Sequence, residues 1–304
     1  MIRNKAAREA MVRLLRNARY EVLPVGSTEE KVLTHLPKDR TVTVTASPGK
    51  GLEATFALAE SLTREGYVAV PHIAARMVSG RGELKEICDR LTESGISTVF
   101  VPGGDAEAVG DYPDALSLLE DLTVLGKPFA NVGITGYPES HPTISDDQTV
   151  QSMWDKRRYA THIVSNLTFD PKSVSTWVGR LRQRGVAMPL LLGMPGPVER
   201  TKLLTMATRI GVGESTRFLA KNKGTFARLA APGGFTGERF LEKCAPTAAR
   251  PESLVEGLHV FSFNQVAETE AWRTDLLERL RSPEGSPEGS PEGSPEGSPD
   301  GQAG

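Results

Sequence analysis

Residues 137–142, Tyr-Pro-Glu-Ser-His-Pro, set a phenol, a carboxylate and an imidazole within five positions, with Pro138 and Pro142 stiffening the chain. They follow a short apolar run, 129–134, and two glycines, Gly133 and Gly136, mark places where the backbone must come close to something. A strand that breaks off into a rigid loop carrying Tyr137, Glu139 and His141 reads as one wall of a binding site. The same residue types also suit a proline-rich turn with a solvated Glu and a backbone-bonded His, so the rest of the chain must decide. Glu21 stands between Tyr20 and Val22-Leu23 in an apolar run. A carboxylate there is costly, and burial favours the protonated form that a general acid needs. His72 and Asn166 are isolated polar residues in apolar runs of the same kind, each with a plain structural alternative: a satisfied core imidazole and a backbone-bonding amide. Asp105, after Gly103-Gly104, is either a functional carboxylate or a helix cap.

These groups need elements to position them. Strand-like apolar runs fall at 19–25, 41–46, 67–72, 98–101, 129–134, 162–169, 189–194 and 259–264. Helical periodicity falls at 28–36, 52–65, 83–94, 114–125, 146–159, 173–184, 199–210 and 268–281. Capping signals at Asp114, Ser145 and Asp170-Pro171, and stop signals at Gly66, Gly95, Gly126, Gly185 and Gly211, support these boundaries. Eight strands, each followed by a helix, predict an α/β fold, a single (β/α)8 TIM barrel over 1–281. A doubly wound open sheet is the alternative, but no dinucleotide-binding glycine fingerprint follows any strand. The segment 213–258 holds helices without a clear strand and is expected as an insertion before the last strand. In such a barrel the chemistry sits at the carboxyl ends of the strands. Those ends present Glu21, Thr45, His72, Gly104-Asp105, the 137–142 loop, Asn166 with Asp170, Gly193–Pro197, and Asn264-Gln265.

Residues 282–304 repeat Ser-Pro-Glu-Gly and hold no large apolar side chain, so they are expected to be a disordered tail. Taking the tail's five acids from the 38 Asp and Glu leaves 36 Lys and Arg against 33, a balance that points to no nucleic acid or other polyanion. No apolar run matches a membrane span or a signal-peptide core, so a cytoplasmic protein is expected. Residues 4–17 form a basic amphipathic pattern that fits a packed leading helix. Cys88 and Cys244 are far apart in unrelated contexts and suggest neither a disulfide framework nor a metal site. The sequence leaves a homo-oligomer open.

With these residues assembled, the chain resembles the methylenetetrahydrofolate reductase family over roughly 18–281. The resemblance is carried by Tyr20-Glu21-Val22-Leu23-Pro24, Pro71-His72, Gly104-Asp105 and the full Tyr137-Pro138-Glu139-Ser140-His141-Pro142. Ser165 to Asp170, Leu192 to Pro195 and Phe263-Asn264-Gln265 follow in the right order. The departures are Gly103 where the family's flavin enzymes carry Arg, Asn166 for Gln, and a basic run shortened to Lys156-Arg157-Arg158. They resemble the flavin-independent actinobacterial branch. The resemblance implies reduction of 5,10-methylenetetrahydrofolate to 5-methyltetrahydrofolate by direct hydride transfer from NADH, without FAD. It implies Glu21 and Asp105 as catalytic, with Asn166, Asp105 and Thr45 on the folate. It implies His72, Gly104, Tyr137, His141 and Lys156 on the cofactor, and no metal. Three other readings stay open: the same reaction through bound FAD, another hydride or one-carbon reaction on a related pterin, and a non-catalytic folate- or pterin-binding barrel.

Overall fold

Side chains on a strand alternate in direction, and here both directions are buried, one under helices and one inside a ring of strands. The computed structural model describes residues 4–281 apart from 48, 105, 140, 142–143 and 198–235. Its strands are β1 (Ala18–Val22), β2 (Thr41–Val44), β3 (Val68–Pro71), β4 (Thr98–Val101), β5 (Asn131–Gly136), β6 (His162–Ser165), β7 (Leu190–Pro195) and β8 (Val255–Phe261). The described helices are α1 (Lys5–Arg16), α2 (Thr28–His35), α3 (Glu53–Arg64), α4 (Arg81–Glu93), α5 (Ala115–Val124), α6 (Asp146–Lys156), α7 (Pro171–Gln183), α8 (Gly237–Ala248) and α9 (Val266–Arg281).

All strands run parallel, in the order β3-β2-β1-β8-β7-β6-β5-β4. The two edges meet through a parallel bridge between His72 and Phe100, extended by Ile73 N donating to Phe100 O at 2.8 Å and Ala75 N to Pro102 O at 3.0 Å. The ring of strands is thereby closed, and the fold is the (β/α)8 barrel expected from the alternation.

Outward residues such as Val22, Val44, Ile134 and Leu192 join the large core beneath the helices. Val70, Phe100, Val164 and Leu191 form a separate apolar plug inside the barrel. Each such side chain contributes roughly 1.5–3 kcal/mol on burial. Two glycines make the interior possible. A Cβ on Gly133 would stand 2.8 Å from His162 Nε2 and 3.0 Å from Phe100, so the missing side chain admits both rings. Gly136 has the opposite duty, since a Cβ there would stand 2.5 Å from Trp177 on α7, outside the barrel. The leading helix packs as its pattern predicted. Asn4 caps it, Ala7, Ala10, Met11, Leu14 and Leu15 are buried, and Arg13 donates to Ala248 O at 2.6 Å.

Element boundaries differ from the sequence reading by up to four residues, most at β6 and β8. β6 ends at Ser165 rather than 169, because the Ser165 and Thr168 hydroxyls both turn back onto Asn166 O. β8 spans Val255–Phe261 rather than 259–264: residues 262–264 turn away, with Phe263 and Asn264 in the left-handed region. The segment 213–258 is therefore not wholly an insertion, since its last four residues are strand and its α8 packs on α1 and α7 as part of the helical ring. The expected helix at 199–210 and the tail at 282–304 lie outside the described residues. No helix among the described residues is long and apolar enough to cross a membrane.

Candidate active site

Parity on β1 sends Arg19 and Glu21 into the barrel, two residues apart on one face. Arg19, the deeper of the two, donates from Nη1 to His162 Nε2 at 3.1 Å. Arginine can only donate, so this contact fixes the His162 tautomer: Nε2 accepts, and Nδ1–H donates to Thr161 Oγ1 at 2.9 Å. Burial, then the Arg19 charge, then His259 push the His162 imidazole down to about 3, so it is neutral at physiological pH.

Above them, Glu21 stands between two imidazoles. His259 on β8 brings Nε2 to 2.8 Å from Glu21 Oε2, and His72 at the end of β3 brings its Nε2 to 3.6 Å from the same oxygen. Burial is the main cause that pulls His72 down to about 4, with Glu21 opposing and His259 adding to it. His72 therefore carries no charge near neutrality. Phe100 of the plug underlies both rings, with centroids 4.7 Å from His72 and 6.5 Å from His259. The floor of the site is apolar and its first polar layer is Glu21, His72 and His259.

Several buried polar atoms here have no hydrogen-bond partner among the described residues: Thr45 Oγ1 beyond β2, Thr135 Oγ1 on β5, His72 Nε2 and His259 Nδ1. An unpaired buried donor or acceptor costs about 1–3 kcal/mol, so four of them around one end of a barrel is an arrangement that a polar ligand would relieve. Farther out, the Tyr137 and His141 rings meet edge to face at 4.8 Å, and His141 Nδ1 accepts from Ile144 N at 3.2 Å. Glu139 has a scaffold bond: its Oε1 accepts from Phe169 N and Asp170 N, both at 2.5 Å, tying the loop after β5 to the one after β6. Asn166 is exposed at the strand end rather than sunk in an apolar run, and its Oδ1 accepts from Leu167 N at 2.7 Å.

Gly104 is held on the same rim. It has a φ of +90°, a region open to glycine, and Gly103 O accepts from Arg76 N at 3.0 Å. Asp105 lies outside the described residues. Lys156 does not join this group. It ends α6, where Ala160 N bonds Lys156 O and Thr161 N bonds Val132 O, at the amino ends of the strands. Burial lowers its ammonium's proton affinity, against Asp114 and Asp155. Asn264 is occupied with structure: Oδ1 accepts from Leu23 N at 2.8 Å, while Nδ2 donates to Thr28 Oγ1 at 2.8 Å and to Leu23 O at 3.2 Å. It holds the chain immediately after Glu21.

Sequence reasoning missed His259, His162, Thr135 and Arg76. The expected range 259–264 put His259 at the amino end of its strand, whereas in Val255–Phe261 it stands two residues from the carboxyl end, at the mouth. Arg76 follows β3 and donates from Nε to Pro113 O at 2.8 Å, with Nη1 3.4 Å from Gly104 O. A guanidinium therefore stands near the β4 loop although Gly103 supplies none. A cavity of about 600 Å³ opens at the rim between α3 and α4, lined by Leu52, Phe56, Met77, Ile87 and Arg90. It holds none of the groups gathered around Glu21, and the half-buried Arg90 on its rim is paired with Glu53 and Glu60.

The sequence profile described as methylenetetrahydrofolate reductase matches residues 27–227. The match begins after Glu21 and ends before β8, so those two parts of the site rest on the geometry above. Among solved structures, a Burkholderia cenocepacia protein provisionally described as a lyase/mutase is similar at 12% identity, covering 90% of this chain and 85% of its own, with a TM-score of 0.49. A likeness so distant bears on neither mechanism nor substrate.

Proposed function

The chain belongs to the methylenetetrahydrofolate reductase family, and from that premise we propose that it reduces 5,10-methylenetetrahydrofolate to 5-methyltetrahydrofolate with hydride taken directly from NADH, Glu21 supplying the proton. The observation that carries the reading is the carboxyl of Glu21 at the strand ends, 14% exposed, beside buried polar atoms that have no hydrogen-bond partner among the described residues.

The reaction opens a five-membered ring whose methylene bridges two nitrogens. A proton from Glu21 goes to N10 of the folate, the bond from N10 to the methylene carbon breaks, and its electron pair stays on nitrogen. The iminium left on N5 accepts hydride, and the dihydronicotinamide is the donor. Water then restores the Glu21 proton. Glu21 suits the acid because it meets the mouth on one side and neutral His72 on the other. Thr45 and the exposed amide of Asn166, with Asp105, would bind the polar edge of the pterin. Tyr137 and His141 offer an aromatic wall to a flat ring, with His72 and Gly104 beneath it. Lys156 has no part in this reading. Holding both carbon centres at van der Waals contact would supply much of the rate.

A second reading, the same reaction through bound FAD, is favoured by Arg76, whose guanidinium lies beside Gly104. It is weakened because that guanidinium is already spent on two carbonyl oxygens. Initial rates at varied NADH and folate separate the two. Direct transfer requires both substrates bound together and gives intersecting lines; a bound carrier gives parallel lines and a yellow protein. Absence of any folate-dependent NADH oxidation would overturn both.

A further inference from the structure

His259 sees neither solvent nor the mouth, yet it contacts the carboxyl that does. Its side chain is 1% exposed. The ring is fixed edge-on against Phe261 at 5.0 Å, above Phe100, beside its register neighbour Gly193 on β7, which has no side chain to displace it. The charged and titratable groups facing it are Arg19 and Glu21 on β1, His72 after β3 and His162 on β6. Arg19 is engaged by His162, and burial keeps both other imidazoles neutral.

The two nitrogens of His259 have different surroundings. Nε2 meets Glu21 Oε2, whereas Nδ1 is buried without a partner among the described residues. An imidazolium would bury a charged N–H with nothing to accept it. A neutral ring protonated at Nδ1 would bury an orphan N–H, the rarer defect in native proteins. The remaining form has its proton on Nε2 and a bare lone pair at Nδ1.

We propose that His259 is the positioning residue of the Glu21 acid: its Nε2–H donates to Oε2, confining the carboxyl proton to Oε1, the oxygen left to meet the substrate. This rests on Glu21 acting as the acid. When the proton passes from Oε1 to the folate nitrogen, His259 keeps its own proton, and its N–H stabilises the carboxylate that remains. It never touches the reacting atoms.

The test uses the full chain with His259→Leu, His259→Gln and Glu21→Gln, following kcat and KM for 5,10-methylenetetrahydrofolate from pH 5.5 to 9. His259→Leu should lower kcat about 10- to 100-fold and leave KM within about threefold. Its alkaline limb should move up by roughly one pH unit, because a carboxylate that loses a hydrogen-bond donor keeps its proton to higher pH. His259→Gln restores an N–H near the position of Nε2, so its limb should return toward wild type with kcat partly rescued. A purely structural role predicts a lower melting temperature in both variants and no movement of the limb; that result overturns the proposal. Should His259→Leu not fold, His259→Met, which likewise has no N–H to donate, takes its place: a raised limb with kcat above that of Glu21→Gln supports the proposal, and an unmoved limb contradicts it. Turnover retained in Glu21→Gln overturns the acid reading, and the role of His259 with it. An unmoved limb with Glu21→Gln inactive overturns the role of His259 alone.

Discussion

Glutamine at position 21 keeps the shape of the side chain and an oxygen for His259 but has no proton to give. Glu21→Gln should therefore cost about 10²–10⁴ in kcat and leave folate binding within a few-fold. Stopped-flow binding beside steady-state turnover checks the pair, and near-wild-type kcat would contradict the assignment. A second residue-scale prediction concerns stability. An unfolded His162 takes up a proton near 6.5, while the folded one, buried beside Arg19, resists until about 3. Between those values the unfolded chain binds more protons, so stability is present above about 6.5 and is lost as the pH falls. By pH 5 the loss is about 2 kcal/mol for such a group. Urea unfolding at pH 7 and pH 5 should show His162→Gln losing about 2 kcal/mol less than wild type, since Gln can still accept from Arg19 without titrating. Equal losses in the two proteins would show that His162 does not hold its neutral form.

At the scale of elements, close backbone approach decides what each strand tolerates. A Cβ on Gly193 would fall within the radius of Ser165 O and 2.7 Å from Asn166 O, both backbone atoms that cannot step aside cheaply. Gly103 has nothing within 4 Å. Gly193→Ala should cost about 2 kcal/mol or more in denaturant unfolding, and Gly103→Ala no more than about 0.5. A neutral Gly193→Ala would mean that β6 and β7 slide freely at the mouth. The same scale explains what the sequence revealed. The β/α alternation was legible because short apolar strands and capped helices are local signals, and it led to the barrel and to Glu21, His72 and Tyr137–His141 at one end. His259 was not legible because the run 259–264 placed it at the amino end of its strand, away from the mouth, and hid four earlier strand residues, among them Gly257. Lys156 was grouped with the cofactor residues because sequence gives neighbours along the chain but not which end of a helix reaches the mouth. Glu139 was read as part of the wall, whereas it bonds two backbone amides across the loops, a long-range pairing with no local signature.

Over the whole molecule, the barrel brings β1 and β8 side by side, and the site is built across that seam. Glu21 and His259 lie 238 residues apart in sequence and meet because β1 pairs with β8. The seam is held from several sides. Asn264 bonds the chain at Leu23, Ser262 Oγ donates to Glu21 O at 2.6 Å, and α1 packs on β8. On the outer face, Tyr20 bonds Glu270 of α9, which pairs with Arg273 at 2.5 Å, so the residue before Glu21 is anchored as well. These contacts give the acid a fixed place, as positional catalysis requires. The most direct measurement of the central claim is the fate of deuterium carried at both C4 positions of NADH, with purified protein, no added flavin, and 5,10-methylenetetrahydrofolate as acceptor. Direct hydride transfer predicts one deuterium in the methyl group of every 5-methyltetrahydrofolate formed. Product made at full rate without deuterium in its methyl group, the label having been lost to water on a carrier, would contradict it.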